Sequence, residues 1–520
     1  NPNEAIIAKR RAYAVIVDHI IPFMESTELY NELSELEELI AQYNNAKQLN
    51  ENNRKKILFD EIIKISNKIK LFHRCEKHSQ INIDEEKFIS EIHNKIFLIR
   101  DSSINMGLHI LSKTNDKTKT AKMIFTILKY DGNLPSIRRI ILEIMGYNYD
   151  EIIKGPEKIF KNKSGLEIIN ESEKIALRLI ENVLINNRID EDFISAQFQE
   201  IKFKKESIEK LISILVWIKD IIFKNLMKTE REIPQIIKSI DKKYISPGAG
   251  GLLTRNKIDV LPTGRNIFSI DPRKIPTKTA YKIGVELSEE LIMKYKREEN
   301  KYPEKIGMVL WSTDVYRGDG EEISQILHLI GARPVWNESG VVNDIEIIPL
   351  SELKRPRIDV IIRTSEIFRD TLPNLIELID KAIIRIANLE EKEEENYIRK
   401  NVKDIKEKLK KRNSELSEEA LFRMASFRLF AAKPGTYGNG IKLIIAASAW
   451  KTIVDLGEVF LEHGGYAYGE NVFGQEAYPE FAHNLEKVKI VFHKMESDET
   501  DPLGCCYNDF QGGMTAAVRS

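Results

Sequence analysis

Cysteine is nearly missing from this chain: among 520 residues only Cys75, Cys505 and Cys506 occur. Three thiols cannot build a disulfide framework, and the adjacent pair Cys505-Cys506 lacks the Cys-x-x-Cys spacing of structural zinc. That usage reads as intracellular, and a cytoplasmic location is expected. No apolar run is long enough to cross a bilayer. The stretch from Leu211 to Leu226 is broken by Lys219, Asp220 and Lys224, so no membrane span is expected. Nor is there an excess of charge of one sign, since 79 basic residues face 80 acidic ones for a net charge of -1. This balance gives no support for a global polyanion binder, and no nucleic-acid partner is expected. An initiating methionine is missing as well. The chain opens on Asn1-Pro2-Asn3 and stops at Ala516-Ala517-Val518-Arg519-Ser520, in what reads as the first turns of a helix, so a piece of a longer polypeptide is expected.

What is present is organised unevenly. Residues 1–236 carry apolar residues at helical spacing, such as Leu29, Leu33, Leu36 and Leu39 with Ile40, and Ile57, Leu58, Ile62, Ile63, Ile65 and Ile69. Helices are expected at 85–100, 119–129, 136–145, 171–187 and 206–228. Residues 237–299 hold an irregular, glycine- and proline-rich segment and then a helix opened near Thr277. At Lys305 the texture changes. Short apolar runs at 306–311, 334–336, 345–348 and 359–363 alternate with a loop at 313–320 and helices at 321–331 and 371–388, which suggests a small parallel α/β domain over 300–390. Residues 391–520 begin with a highly charged helical excursion at 390–418, read as exposed, and an apolar helix at 422–430. A glycine-rich, ligand-facing region follows. The fold class expected is therefore α/β multidomain, with a predominantly helical N-terminal half, irregular ligand-binding loops and a small parallel α/β domain.

The most informative stretch is Leu261-Pro262-Thr263-Gly264-Arg265-Asn266-Ile267-Phe268-Ser269-Ile270-Asp271-Pro272. Glycine and two prolines make such a run costly to fix unless it holds something, and a cleft wall for an acidic ligand is one reading, a structural cap the other. Guanidinium forks bind carboxylates bidentately, so Arg255, Arg265, Arg363 and Arg369 are candidate ligand contacts, together with Asn266, Asp271 and Asp314 near the loops and strand ends. An internal ion pair is the competing reading for each arginine. Lys433-Pro434-Gly435-Thr436-Tyr437-Gly438 ends without Gly-Lys-Ser/Thr and is no nucleotide P-loop. Its Tyr437, with Tyr466 and Tyr468 of Gly464-Gly465-Tyr466-Ala467-Tyr468-Gly469, offers an aromatic-glycine surface for a flat ligand or for close packing. His109, His463, Glu470 and Glu476 are candidate proton carriers, and His109 and Glu476 candidate contacts for a metal ion. A hydrogen-bonded core histidine is the competing reading for His109.

Several segments in order resemble one family. They are Asn1-Pro2 through Ile6-Ile7-Ala8-Lys9-Arg10-Arg11-Ala12-Tyr13, Gly107-Leu108-His109-Ile110, Leu261 to Asn266, Val309-Leu310-Trp311-Ser312-Thr313-Asp314, Arg363 to Asp370 with Pro373-Asn374-Leu375, Pro434 to Gly438, Gly465 to Gly469 and Gly512-Gly513-Met514-Thr515-Ala516-Ala517. Together they are similar to the large subunit of cobaltochelatase and to the related H subunit of magnesium chelatase. The resemblance implies insertion of a metal ion, cobalt by preference, into a corrin-type tetrapyrrole in cobalamin biosynthesis. It also implies ATP, with magnesium, hydrolysed on separate partners: an AAA+ ATPase subunit and its companion metal-chelatase subunit. A magnesium-inserting relative and a non-catalytic tetrapyrrole carrier or sensor are the alternatives. Two departures stand out. The family's His-Gly-Thr-His-Gly stretch precedes the equivalent of Asn1, and Gln511 stands where the family often has a histidine before the final Gly-Gly.

Overall fold

The computed structural model describes residues 8–9, 14–26, 31–48, 51–69, 71, 85–100, 103–105, 109–132, 134–156, 158–161, 163–198, 205–268, 271–412, 415–495 and 505–520. Leu29, Cys75 and the Asn1–Ile7, Arg10–Tyr13 and Gly107-Leu108 portions of the resemblance lie outside them.

The first half is helical, as its periodicity dictates. Helices Glu32–Gln48, Asn52–Lys68 and Glu85–Arg100 close around Leu36, Ile40, Ile62 and Ile92, whose spacing puts them on single helix faces. A second core joins Lys117–Leu128, Ile137–Ile144, Gly165–Asn186 and Lys205–Trp217 through Ile124, Ile141, Leu179 and Leu215. Caps fix the helix starts: Ser164 and Glu167 form a reciprocal capping box, and Asp116 and Ser136 each accept an amide three residues on. Each such cap stabilises its helix by about 1 kcal/mol.

The α/β unit is built on six strands, β1 (Lys305–Leu310), β2 (Asp359–Thr364), β3 (Leu429–Ala431), β4 (Tyr466–Gly469), β5 (Val472–Glu476) and β6 (Ile490–His493). Their order across the sheet is β5-β4-β3-β2-β1-β6. Strands β6, β1, β2 and β3 are parallel, while β4 and β5 close one edge as an antiparallel hairpin. Strands β1 and β2 are buried at every residue, which is why they read as continuous apolar runs rather than alternations. The sheet takes strands from both sides of residue 390, so the α/β unit expected over 300–390 continues into the glycine-rich region beyond it.

Four local expectations are corrected. The runs near 334 and 345 do not join the sheet; Ala332–Trp336 and Val342–Ile347 pair with each other, antiparallel. Only five residues connect them, too few for the crossover that a parallel pair requires. The 313–320 loop contains a helix, Ser312–Arg317. The 422–430 run splits into helix Glu418–Ala425 and strand β3. The charged region at 390–418 is no exposed excursion, because helix Tyr397–Arg412 buries Ile398, Val402, Ile405 and Leu409 against the core that β1 and β2 share. Among the described residues, no helix is long and apolar enough to cross a membrane.

Candidate functional site

The irregular segment carries a short strand, held between another strand and the extended residues 16–18. Asn266–Phe268 pairs in parallel with Pro247–Ala249 on one side. On the other side the Asp18 amide donates to Arg265 O at 3.0 Å, and the Gly264 and Ile267 amides donate back to Asp18 O and Ile16 O at 3.1 and 3.0 Å. Gly264 has φ +77°, and a Cβ there would lie 3.2 Å from Arg231 Cγ and 3.4 Å from Glu232 Cα. Only glycine takes that backbone shape without strain against the helix that Glu232 opens.

That contact brings Thr263 onto Glu232, a fully buried carboxylate. One of its oxygens accepts from the Ile20 amide at 3.0 Å and from Thr263 Oγ1 at 2.7 Å. The other accepts from the Ser112 amide at 3.1 Å and faces His109 Nε2 at 2.6 Å. The ring of His19 stacks on His109 with centroids 5.6 Å apart and planes 6° from parallel. His109 lines a cleft of about 410 Å³ with Pro22, Phe23, Lys113, Asp116, Lys119 and Met123, two lysines to one aspartate. An imidazole, two lysines and apolar walls can together take a flat ring with carboxylate arms and a proton to give up.

A second polar group lies beyond the carboxyl ends of β1 and β6, where ligands of open α/β sheets collect. His493 Nε2 is 3.3 Å from Asp314 Oδ2, and both side chains are 1% exposed. Trp311 lies against His493 and, edge to face, against Phe510. Lys494 Nζ sits 2.7 Å from Glu321 and 3.3 Å from Glu322. Burial pushes the Glu322 carboxyl upward, and the charge of Asp314 adds to the shift while Lys494 opposes it. Arg255 reaches Glu321 at 3.1 Å and Lys257 reaches Asp319 at 2.9 Å, so the irregular segment ties the His109 region to this end of the sheet.

The remaining expected site residues are placed as follows. The Arg265 guanidinium is turned onto its own loop, donating to Asp259 O and Val260 O at 2.6 and 2.8 Å, while the Arg265 amide meets Asp18 at 2.6 Å. Burial pushes the Asp18 carboxyl up, and that amide partly opposes the shift. Asn266 Oδ1 accepts from the Ile16 amide and from Lys9. Asp271 caps the short Pro272–Lys274 turn and pairs with Arg273. Arg363 is fully buried, donates to Thr364 O and to Glu366 at 2.9 Å, and lies against Phe460 and Phe510; it anchors a strand end from within the core. Arg369 donates to Asp370 and to the Ala432 and Lys433 carbonyls, between the rings of Tyr437 and Tyr468. Tyr437 also bonds Asp370, and Tyr468 bonds Ala432 O. Tyr466 pairs with Ala431 and Glu476 in the sheet. His463, Glu470 and Glu476 are exposed on the helix and hairpin at that edge, in a different unit from His109. Among the described residues no group of three His, Cys, Asp or Glu side chains is arranged to hold a metal ion.

Sequence reasoning missed Glu232, His19, His493, Glu321 and Glu322. Glu232 stands in Lys228-Thr229-Glu230-Arg231-Glu232, which reads as a solvated charge run, and its partners come from residues 20, 109, 112 and 263. The Gly-Asp-Gly-Glu-Glu run at 318–322 follows directly on Arg317 and was the local signal for Glu321 and Glu322, beside the Asp314 already singled out.

Comparison with known proteins adds the relationship. The CobN/Magnesium Chelatase family model matches residues 1–520. An uncharacterized protein of Methanocaldococcus jannaschii is 37% identical over 100% of this chain and 41% of its own length. The aerobic cobaltochelatase subunit CobN of Pseudomonas aeruginosa is 31% identical over 100% of this chain and 42% of its length. The solved catalytic subunit of cobaltochelatase from Mycobacterium tuberculosis superposes with a TM-score of 0.81 at 27% identity, covering 100% of this chain and 42% of that one. The chain thus spans about two fifths of the length of these relatives. By a family model that runs its whole length, and by relatives that span it from end to end, the chain belongs to the CobN/magnesium chelatase family.

Proposed function

We propose that the chain is the macrocycle-binding part of a cobaltochelatase large subunit, and that the cleft beside His109 receives the edge of a carboxylated tetrapyrrole. The observation that carries the reading is the meeting of His109, Lys113 and Lys119 on one cleft with Phe23 and Met123. Lysine ammonium groups suit the ring's peripheral carboxylates, and apolar walls suit its face. A divalent ion can enter only as the inner pyrrole nitrogens give up protons, and an imidazole at the cleft has that task. Cobalt, as substrate, is favoured over magnesium by the loops Pro262 to Asn266 and Asp314, and by the kinship with the Pseudomonas aeruginosa cobaltochelatase subunit. ATP hydrolysis belongs, in this reading, to AAA+ partner subunits.

The test is metal insertion by the full-length protein with purified ATPase partners, supplied with cobalt or magnesium and with a corrin precursor or a protoporphyrin. Cobalt-dependent turnover on the corrin precursor, lost in His109→Gln, is the expected result. Preference for magnesium and a protoporphyrin would overturn the cobalt assignment. Saturable ring binding with no insertion of either metal would instead favour a carrier.

A further inference from the structure

Three donors other than His109 converge on Glu232 and bear on which nitrogen of His109 carries its proton. Backbone amides can only donate, and each carboxylate oxygen already accepts one, from Ile20 at 3.0 Å and from Ser112 at 3.1 Å. With Glu232 ionised both oxygens are acceptors, so His109 Nε2, 2.6 Å away, bears the hydrogen in that contact. Neutral imidazole has one N–H, and the lone pair is left on Nδ1. The neighbouring ring is fixed the other way round. His19 Nδ1 lies 2.8 Å from Ile20 O, a carbonyl that can only accept, so Nδ1 carries the hydrogen there. Ile20, whose carbonyl ties down His19, donates its own amide to Glu232, and the two rings lie parallel at 5.6 Å.

We infer that Glu232 is the positioning residue that holds His109 as an Nε2–H imidazole with the Nδ1 lone pair as the proton acceptor, and that His19 fixes the plane of the ring by stacking. The inference rests on His109 being the base proposed above. In the step, a pyrrole N–H bond breaks and a new N–H bond forms at His109 Nδ1. The electron pair stays on the pyrrole nitrogen and passes to the incoming metal ion. The imidazolium so formed keeps its Nε2–H on the Glu232 carboxylate, where the new positive charge meets a buried negative one. Glu232 touches neither ring nor metal; it acts through His109. Its burial and its four donors make it a rigid support, unlike the exposed His463, Glu470 and Glu476.

Two measurements on the full-length protein test this. Magic-angle-spinning nitrogen spectra of histidine-labelled protein, assigned by difference from His109→Gln, read the tautomer directly and need no change at Glu232. A neutral His109 protonated at Nε2 is expected; protonation at Nδ1 overturns the inference. Kinetics with the ATPase partners supply the second. Glu232→Gln should lower kcat roughly 10- to 100-fold, with ring affinity by fluorescence quenching held within about twofold, since the residue acts on proton transfer and not on binding. If His109→Gln abolishes insertion while Glu232→Gln leaves kcat intact, the positioning role falls and the base survives. If His109→Gln leaves insertion unchanged, the base falls and the positioning role falls with it.

Discussion

Lys305 and Asp359 are register partners on β1 and β2, with Nζ 3.6 Å from Oδ2 and both side chains 1% exposed. Asp359 also takes the buried Arg428 at 2.7 Å, and Lys305 donates to Asn484 at 3.2 Å. One carboxylate thus stands between two cations inside the sheet. Burial pulls the Lys305 ammonium down to about 8, against the pull of Asp359 and with the help of Arg428.

A pH signature follows from that shift. The folded-state value lies below the ordinary lysine value of 10.5, so the cost of the buried charge is fully present below about pH 8 and is relieved as pH rises toward 10.5. In that window the unfolded chain holds more protons, and unfolding free energy gains from this group with a slope that approaches about 1.4 kcal/mol per pH unit. Denaturant unfolding of the native protein and Lys305→Met, followed from about pH 7.5 to about pH 10, should show the native curve rising relative to the variant. Parallel curves would remove Lys305 as a titrating group.

Gly284 marks the tightest crossing of helices Lys278–Glu299 and Glu321–Ile330. A Cβ there would lie 2.4 Å from Ser324 Cβ and 2.8 Å from Gln325 N. Alanine gains up to about 1 kcal/mol in helix propensity over glycine, but the backbone on the other side cannot yield to a contact that short. Gly284→Ala should therefore destabilise by about 1–3 kcal/mol, measured by chemical denaturation. Adding Ser324→Gly should restore part of the loss, and a neutral or stabilising Gly284→Ala would contradict the packing.

Arg363 answers a different question. Its guanidinium is fully buried with Glu366, itself nearly so. Removing one member of a buried pair strands the other, at about 3–5 kcal/mol. Arg363→Ala should accordingly show a lowered unfolding midpoint, and any loss of ring binding should track the loss of folded protein. A variant of native stability that fails to bind the ring would return Arg363 to the ligand.

Much of this fold was legible because apolar periodicity needs only neighbours in sequence. Leu36, Ile40, Ile62 and the all-buried strands β1 and β2 declare themselves that way. The errors came where composition and pattern disagree, or where a partner is remote. Ile398, Val402, Ile405 and Leu409 form a narrow stripe in a helix dominated by lysine and glutamate, and charge counting hid it. Strand β3 is three residues long and exists because Ile362 and Arg363 lie beside it. The site followed the same rule. His109 was visible as a histidine in apolar surroundings, whereas Glu232 is distinguished from its charged neighbours only by donors 31 to 212 residues away.

The irregular segment between the two polar groups gives the last prediction. Arg255 and Lys257 tie it to Glu321 and Asp319, and Arg255 remains a third exposed. Pairs at that exposure contribute about 1 kcal/mol or less to global stability, and Glu321 keeps Lys494 when Arg255 is lost. Arg255→Ala should therefore leave the unfolding midpoint nearly unchanged. Locally the effect should be visible, because the turns beneath rest on short-range bonds, Asn256 N to Leu253 O at 3.1 Å and Val260 N to Lys257 O at 3.2 Å. A loss of about 1 kcal/mol speeds local opening roughly fivefold. Hydrogen–deuterium exchange over 253–261 should accelerate by that order in Arg255→Ala and further in Arg255→Ala/Lys257→Ala, with the Glu232 helix less affected because the Glu232 carboxylate is held by four separate donors. Unchanged exchange in the double variant would show that the segment is held without these two ion pairs, by its β pairing and by its bonds to Ile16, Asp18 and the Asn256 side chain.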